Sequence, residues 1–230
     1  MSIKLVTFDL DDTLWDNVPV IIRAEASMRE WLAAHATKVG DFPLEHFARL
    51  RKQVLVCNPE LEYRISLLRH RVLIHAFEEV GYPLPESTEM ADVCFENFIH
   101  ARHKLTVFPE AEPMLQNLYQ NFILGIITNG NADVQRIGLA DYFQFALCAE
   151  DIGIAKPDVR IFQEALHRTG VETSRAVHIG DHPVDDIAGA QQACLRAVWF
   201  NPRGKVWEGD KYPDAQIINL MELPELLRSW

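Results

Sequence analysis

Short apolar runs of strand length set the strongest limit on how this chain can fold. They lie at residues 3–8, 122–128, 176–180 and 197–200. Helical patterns alternate with the later runs and lie at residues 110–120, 159–169 and 186–193. Continuous apolar runs are typical of strands that are buried on both faces. Because strand and helix alternate, we predict an α/β fold with a parallel sheet, right-handed crossovers and helices on both faces.

The pattern changes between about residues 17 and 104, where Arg, Glu, Leu and Ala recur at helical spacing. In residues 44–55 and 67–79 the apolar side chains are three and four positions apart, as on one face of a helix. We therefore predict an all-helical domain over residues 17–104, inserted into a sheet domain made of residues 1–16 and 105–230. Pro83 to Pro85 and Pro109 predict turns between helices.

Composition narrows the classes of partner. Acidic residues outnumber basic ones 33 to 22, and the net charge of −11 disfavours a non-specific electrostatic hold on nucleic acid or on an anionic membrane. The 4 cysteines lie far apart with no CxxC pair, which predicts reduced, packed thiols. Without a signal-peptide pattern or an apolar run of membrane-spanning length, we expect a cytoplasmic location.

A pair of carboxylates, Asp9 and Asp11, follows the first predicted strand in the pattern DxDxT, which ends at Thr13. At the carboxyl end of a parallel strand the chain presents side chains to the ligand crevice. The first carboxylate can attack phosphorus, and the second can carry a proton to and from the departing oxygen. The alternative is an Asp-rich turn or helix N-cap without a catalytic role.

A second acidic cluster, which contains Asp181, Asp185 and Asp186, follows the strand at residues 176–180. If that strand neighbours the first one, Asp181 meets Asp9 and Asp11, and their oxygens suit Mg²⁺. Without a cation these like charges repel one another, so the cluster favours a bound cation. Asp185 and Asp186 have an alternative role in the first turn of a helix, and His182 is either a substrate contact or an exposed loop residue.

Thr128 and Lys156 complete what phosphoryl transfer requires. Thr128 is followed by Asn129 and Gly130, and this turn offers a hydroxyl and backbone amides to phosphate oxygens. Lys156 precedes Pro157 and can neutralise charge on the transferring group. Each feature is common by itself, and their order along the chain gives them weight.

This ordered set of motifs resembles the four motifs of the haloacid dehalogenase (HAD) superfamily over essentially the whole chain. The resemblance implies a Rossmann-like core and an inserted helical cap of the C1 type. It also implies that Asp9 is the nucleophile that becomes an aspartyl-phosphate and that Asp11 is the general acid and base. Thr128, Asn129 and Lys156 would bind the phosphoryl group.

For the metal, the resemblance implies that Mg²⁺ binds to Asp9, to the main-chain carbonyl of Asp11 and to Asp181. Thr13 and Asp186 would contact these ligands without binding the metal themselves, and Asp186 has the alternative role of orienting Lys156. These residues would act on a small phosphorylated metabolite. A monomer and a small homo-oligomer are both compatible with the sequence.

Asp11 also separates the reactions known in this superfamily. The dehalogenases proper resemble DxYGT at the first motif and need no metal, whereas an acid at position 11 suits a poor alkoxide leaving group. We therefore expect a phosphatase, with a phosphosugar mutase of the β-phosphoglucomutase type, a 2-haloacid dehalogenase and a non-catalytic phosphate binder as alternatives. The motif neighbourhoods resemble the YigB-like branch, which implies FMN or 5-amino-6-(5-phosphoribitylamino)uracil as substrate.

Trp15, Asp16 and Asn17 lie where the predicted sheet domain passes into the helical one. They would form part of a hinge or pocket lip, or Trp15 would only pack one domain against the other.

Overall fold

A computed structural model of the chain describes residues 2–40 and 43–230. The chain divides into two compact units. The sheet unit contains Met1–Asp16 and Thr106–Trp230, and the helical unit contains Asn17–Leu105. All predicted site residues fall in the sheet unit, so the fold of that unit positions the site.

The sheet unit is built on a 6-stranded sheet in the order β3-β2-β1-β4-β5-β6, and every neighbouring pair is parallel. The strands are β1 Leu5–Phe8, β2 Ile123–Thr128, β3 Phe145–Cys148, β4 Ala176–Gly180, β5 Arg196–Phe200 and β6 Ala215–Ile217. The predicted parallel α/β fold is confirmed. Because β1 pairs with both β2 and β4, the residues that follow these three strands meet at one edge of the sheet.

The two outer strands, β3 and β6, were not predicted. Strands β1 and β4 are buried at every position, whereas β3 and β6 have partly exposed residues. In β6 Gln216 interrupts the apolar run that identifies a strand buried on both faces, whereas β3 is a short apolar run that the sequence interpretation missed.

The helical unit consists of α1 Asn17–His35, α2 Leu44–Cys57, α3 Ile65–Glu79 and α4 Leu84–Arg102, with a single turn at Pro59–Leu61. Its described residues include no strand, as predicted. Within this unit, Arg69 Nη1 donates a hydrogen bond to Glu25 Oε1 at 2.7 Å, and Arg69 Cζ lies 3.9 Å from the centre of the Phe98 ring. The turn predicted at Pro83 to Pro85 is wrong in part, because Pro85 lies in the first turn of α4, where a missing N–H costs nothing.

The helices of the sheet unit are α5 Ala111–Leu118, α6 Val134–Ile137, α7 Ala149–Ile152, α8 Val159–Thr169, α9 Gly189–Gln192 and α10 Leu223–Arg228. Helix α8 has the predicted bounds. It begins after Asp158, whose carboxylate accepts a bond from the Arg160 N–H at 2.9 Å, and it ends at Gly170 with φ of 63°. The helix predicted at 186–193 is instead a π-helical segment, Pro183–Ala188, followed by α9.

Within the described parts of the chain, no helix combines the length and the apolar composition that a membrane span requires. The cysteines at positions 57, 94, 148 and 194 are free thiols. Cys94 is buried, whereas Cys57 and Cys194 are exposed, so the prediction of packed thiols is wrong for these two.

Candidate active site

The chain turns sharply after β1 and thereby places both motif carboxylates, Asp9 and Asp11, at the carboxyl-terminal end of the central strands. The Leu10 carbonyl accepts bonds from the N–H groups of Thr13 at 3.2 Å and Leu14 at 2.8 Å. Asp12 takes a left-handed conformation with φ of 58°, which Asp tolerates better than most residues. The turn brings Trp15 back beside Asp11, and the indole Nε1–H donates to Asp11 Oδ1 at 2.9 Å.

Lys156 lies between two carboxylates, Asp9 directly after β1 and Asp186 in the π-helical segment after β4. Its Nζ is 2.6 Å from Asp9 Oδ1 and 2.6 Å from Asp186 Oδ1, and all three residues are buried. Burial favours a neutral amine, but Asp186 and Asp9 outweigh it and raise the pKa of Lys156. Lys156 therefore stays charged and neutralises this part of the site.

The two carboxylates that share Lys156 differ in how readily they ionise. Burial raises the pKa of Asp9 well above its usual value, in spite of Lys156. Burial also acts on Asp186, but Lys156 and His178 overcome it and lower its pKa. Asp186 is thus the firmly ionised partner, and Asp9 is the carboxylate whose charge is less well compensated.

Asp181 follows β4 and completes an acidic cluster with Asp9 and Asp186, in which one carboxylate oxygen from each lies within 4.8 Å of the others. The absence of a side chain at Gly180 makes this possible, since a Cβ there would collide with the Asp186 carboxylate. Burial, together with Asp186 and Asp12, raises the pKa of Asp181 to about 6. Within the described residues, no hydrogen bond reaches the Asp181 carboxylate.

Thr128 is the last residue of β2, which pairs with β1 on the side away from β4, and Asn129 follows it. The Thr128 hydroxyl accepts a bond from the Gly130 N–H at 3.0 Å. The Asn129 side chain donates to the Lys156 carbonyl at 2.9 Å and accepts from the Lys156 N–H at 2.8 Å. These two bonds fix the Asn129 amide against the Lys156 main chain and use one of its two N–H donors. Asn129 lines the cavity, and its binding of phosphate through the second N–H stays a prediction.

The ends of β1, β2 and β4 and the segments that follow the strands line an open cavity of about 210 Å³. One predicted site residue, Thr13, is fully buried and does not line this cavity. The other predicted site residues all do, namely Asp9, Asp11, Thr128, Asn129, Lys156, Asp181 and Asp186, and Asp12, Gly130, His182 and Asp185 join them.

His178 is a site residue that the sequence reasoning missed. It is fully buried on β4, where its Nε2 is 3.0 Å from Asp186 Oδ1 and its Nδ1 is 2.9 Å from Thr7 Oγ1. Because an ionised Asp186 can only accept, Nε2 carries the proton and Nδ1 accepts from the Thr7 hydroxyl. A polar residue inside an apolar strand was the available signal. His178 thus orients the carboxylate that holds Lys156.

We expect His178 to make the folded state sensitive to acid. Burial lowers the pKa of His178, so the unfolded chain takes up a proton near pH 6.5 that the folded chain does not, and stability falls below about that pH. In urea unfolding with a chelator present, wild type should lose more free energy of unfolding between about pH 7.5 and about pH 5.5 than His178→Gln, which cannot titrate. Exposed His167 supplies the control, and His167→Gln should follow wild type. Equal losses in wild type and His178→Gln would show that the ring does not couple folding to pH.

The fold and the cavity together are those of an α/β enzyme with a polar cavity where the central strands end. The chain belongs to the haloacid dehalogenase-like hydrolase family, whose model matches residues 3–193.

Individual relatives carry different activities in their names. The chain is 31% identical to the 5-amino-6-(5-phospho-D-ribitylamino)uracil phosphatase YigB of Escherichia coli K12, over 98% of this chain and 96% of the relative. It is 32% identical to a phosphoserine phosphatase of Thermus thermophilus, over 96% and 97% of the two chains. The crystal structure of a 2-haloacid dehalogenase from Pseudomonas syringae pv. Tomato DC3000 is 58% identical over 99% of both chains, with a TM-score of 0.97.

Proposed function

We propose that this protein is a Mg²⁺-dependent phosphomonoesterase that acts through a phosphorylated Asp9. The observation that supports this most directly is the shared cavity, in which the Asp9 carboxylate contacts Lys156 and faces the same space as Asp11 and Thr128. A carboxylate, a fixed cation and a second carboxylate within one small cavity supply the nucleophile, the charge stabilisation and the proton carrier of phosphoryl transfer.

The acidic cluster fits a hard divalent cation. Asp181 accepts no hydrogen bond among the described residues, and burial, together with the charges of Asp186 and Asp12, raises its pKa. Asp9 and Asp181, with the main-chain carbonyl of Asp11, would hold Mg²⁺. When bound, Mg²⁺ withdraws charge from the phosphate oxygens and favours attack by an anionic nucleophile.

Asp186 suits a supporting role better than that of a metal ligand. Its Oδ1 accepts from Lys156 and His178, and its Oδ2 accepts from the His182 main-chain N–H at 2.9 Å. With both oxygens committed to fixed donors, Asp186 orients Lys156, which in turn steadies Asp9 and the incoming phosphoryl group.

In the first half of the proposed reaction, the Asp9 carboxylate forms a bond to phosphorus, and the bond from phosphorus to the leaving oxygen breaks. Asp11 gives its proton to that oxygen, so the product departs as an alcohol. In the second half, Asp11 takes a proton from water as the water oxygen attacks phosphorus. The bond between Asp9 and phosphorus then breaks, which releases phosphate and restores both carboxyl groups.

For the substrate we propose a small phosphorylated metabolite, with FMN and 5-amino-6-(5-phosphoribitylamino)uracil as the first compounds to assay. The support is the similarity to YigB along nearly the full chain. The helical unit is the proposed cap that selects the rest of the substrate, because the sheet unit supplies groups that suit only the phosphate.

A second candidate is dehalogenation of a 2-haloacid, which the 58% identity to the Pseudomonas syringae protein favours. Halide departs without a proton, so that reaction leaves the acidic role of Asp11 unused. That reaction also needs no metal ion, so the negative charge of the acidic cluster around Asp181 would stay unbalanced. Both features favour the phosphatase.

An assay of wild-type protein decides between these functions. The protein is incubated with 2-chloropropionate and with a panel of phosphate esters that includes FMN, sugar phosphates and nucleotides. Each substrate is tested once with Mg²⁺ and once with a chelator. We expect phosphate release from at least one ester, loss of that release with chelator, and recovery when Mg²⁺ is added back. Chloride release without phosphate release would establish the dehalogenase. An isomerised sugar phosphate without free phosphate would establish the mutase, and tight ester binding without turnover would establish a binder.

A further inference from the structure

The position of Trp15 extends the proposed function to the proton-transfer step. The indole is completely buried, and its Nε1–H donates to Asp11 Oδ1. The contact follows from the turn after β1, because the chain turns at the left-handed Asp12 and pairs residue 15 with residue 11. The residue next to the predicted general acid is therefore a fixed hydrogen-bond donor.

A donor at one carboxyl oxygen decides which oxygen carries the proton. In a protonated carboxyl group the carbonyl oxygen is the better acceptor, and the hydroxyl oxygen is the donor. Because an indole N–H can only donate, Trp15 favours the carbonyl form of Asp11 Oδ1. The proton of Asp11 then lies on Oδ2.

Gly130 leaves room for the other oxygen of the Asp11 carboxyl group, Oδ2. A Cβ at Gly130 would collide with Asp11 Oδ2, and the same Cβ would lie 3.4 Å from the Thr128 hydroxyl oxygen. Asp11 Oδ2 is thus on the side of the cavity where Thr128 would bind the phosphoryl group. Oδ2 therefore faces the reacting phosphoryl group, and Oδ2 is also the oxygen that carries the proton when Trp15 donates to Oδ1.

We propose that Trp15 is a positioning residue that sets Asp11 Oδ2 as the oxygen that gives its proton to the leaving group and later takes one from water. This inference rests on the proposed function. When the bond from phosphorus to the leaving oxygen breaks, the electron pair goes to that oxygen, which takes the proton from Oδ2. The new carboxylate keeps its bond from the indole at Oδ1, so its orientation holds until the second half of the reaction.

The test is how far the loss of kcat/KM in Trp15→Phe depends on the leaving group of the ester. Phe fills most of the space of the indole but has no N–H. The measured quantity is kcat/KM, which reports the step that phosphorylates Asp9, for the best alkyl phosphate of the panel and for p-nitrophenyl phosphate. The alkyl ester should lose about ten- to a hundredfold, because its leaving group needs the proton, while the nitrophenyl ester should change by less than about threefold.

Trp207→Phe is the matched control, because the Trp207 Nε1–H has no hydrogen-bond partner in the described parts of the chain. It should leave the ratio of the two kcat/KM values at the wild-type level. If Trp15→Phe does not fold, as judged by circular dichroism, Gly130→Ala displaces Asp11 Oδ2 without altering the indole. It should reduce the alkyl rate more than the nitrophenyl rate.

Equal losses on both esters, or no loss on either, would overturn the role of Trp15 and leave the phosphatase intact. A wild-type protein that releases phosphate from no ester would instead overturn the proposed function, and the inference with it. A purely structural Trp15 would lower both rates together and would not change their ratio.

Discussion

Replacement of Asp9 by Asn is expected to reduce phosphate release by at least about a thousandfold, because an amide is not a nucleophile toward phosphorus. The two side chains have nearly the same shape, so the cavity should keep its form. The fold should also persist, since burial already raises the pKa of Asp9 and the neutral amide removes a poorly compensated charge. Steady-state phosphate release and urea unfolding measure the two effects separately.

The phosphoenzyme gives this prediction a second readout. Wild-type protein that is quenched in acid during turnover should gain the mass of one phosphoryl group on the peptide that contains Asp9, and Asp9→Asn should not. Asp141→Asn, which removes an exposed carboxylate from the same unit, should retain wild-type activity and phosphorylation. An Asp9→Asn protein that keeps more than about a tenth of wild-type activity would contradict the mechanism.

Replacement of Lys156 by Met should produce the largest loss of stability among the site variants. Lys156 is 4% exposed and is the shared cation of the buried Asp9 and Asp186 carboxylates. Because the variant leaves these charges buried and uncompensated, the free energy of unfolding of the metal-free protein should fall by about 3–5 kcal/mol near pH 7. Activity should fall by about a hundredfold or more, since the fixed charge on the phosphoryl group is also lost. Urea unfolding with a chelator and phosphate release with Mg²⁺ are the measurements.

A double variant tests whether buried charge is the cause. Asp186→Asn combined with Lys156→Met removes one of the stranded carboxylates, so it should be more stable than Lys156→Met alone. Lys4→Met, at an exposed position of the same unit, should change stability by less than about 0.5 kcal/mol. If the double variant is less stable than Lys156→Met, the loss arises from packing of the lysine stem and the electrostatic account is wrong.

The sequence predicted those parts of the fold whose signal is local. The central strands β1 and β4 are buried on both faces, so they read as apolar runs, and α8 has a capping Asp158 and a closing Gly170. Strands β3 and β6 carry partly exposed residues, and their pairing depends on a sheet that exists only after folding. The π-helical segment Pro183–Ala188 was missed for a related reason, since Asp186 within it bonds Lys156, which is far away in the sequence.

The candidate site divides in the same way. The sequence alone determined which residue types are present, that Thr128 ends a strand and that Asp9, Asp11 and Asp181 follow strands, because strand and motif are adjacent in the chain. Only the tertiary structure decided that Asn129 fixes the Lys156 main chain, that His178 orients Asp186, and that Trp15 donates to Asp11. A hydrogen bond depends on distance and direction between side chains, and these are set by the order of the strands and by the left-handed turn at Asp12. The spacing of residues along the chain specifies neither.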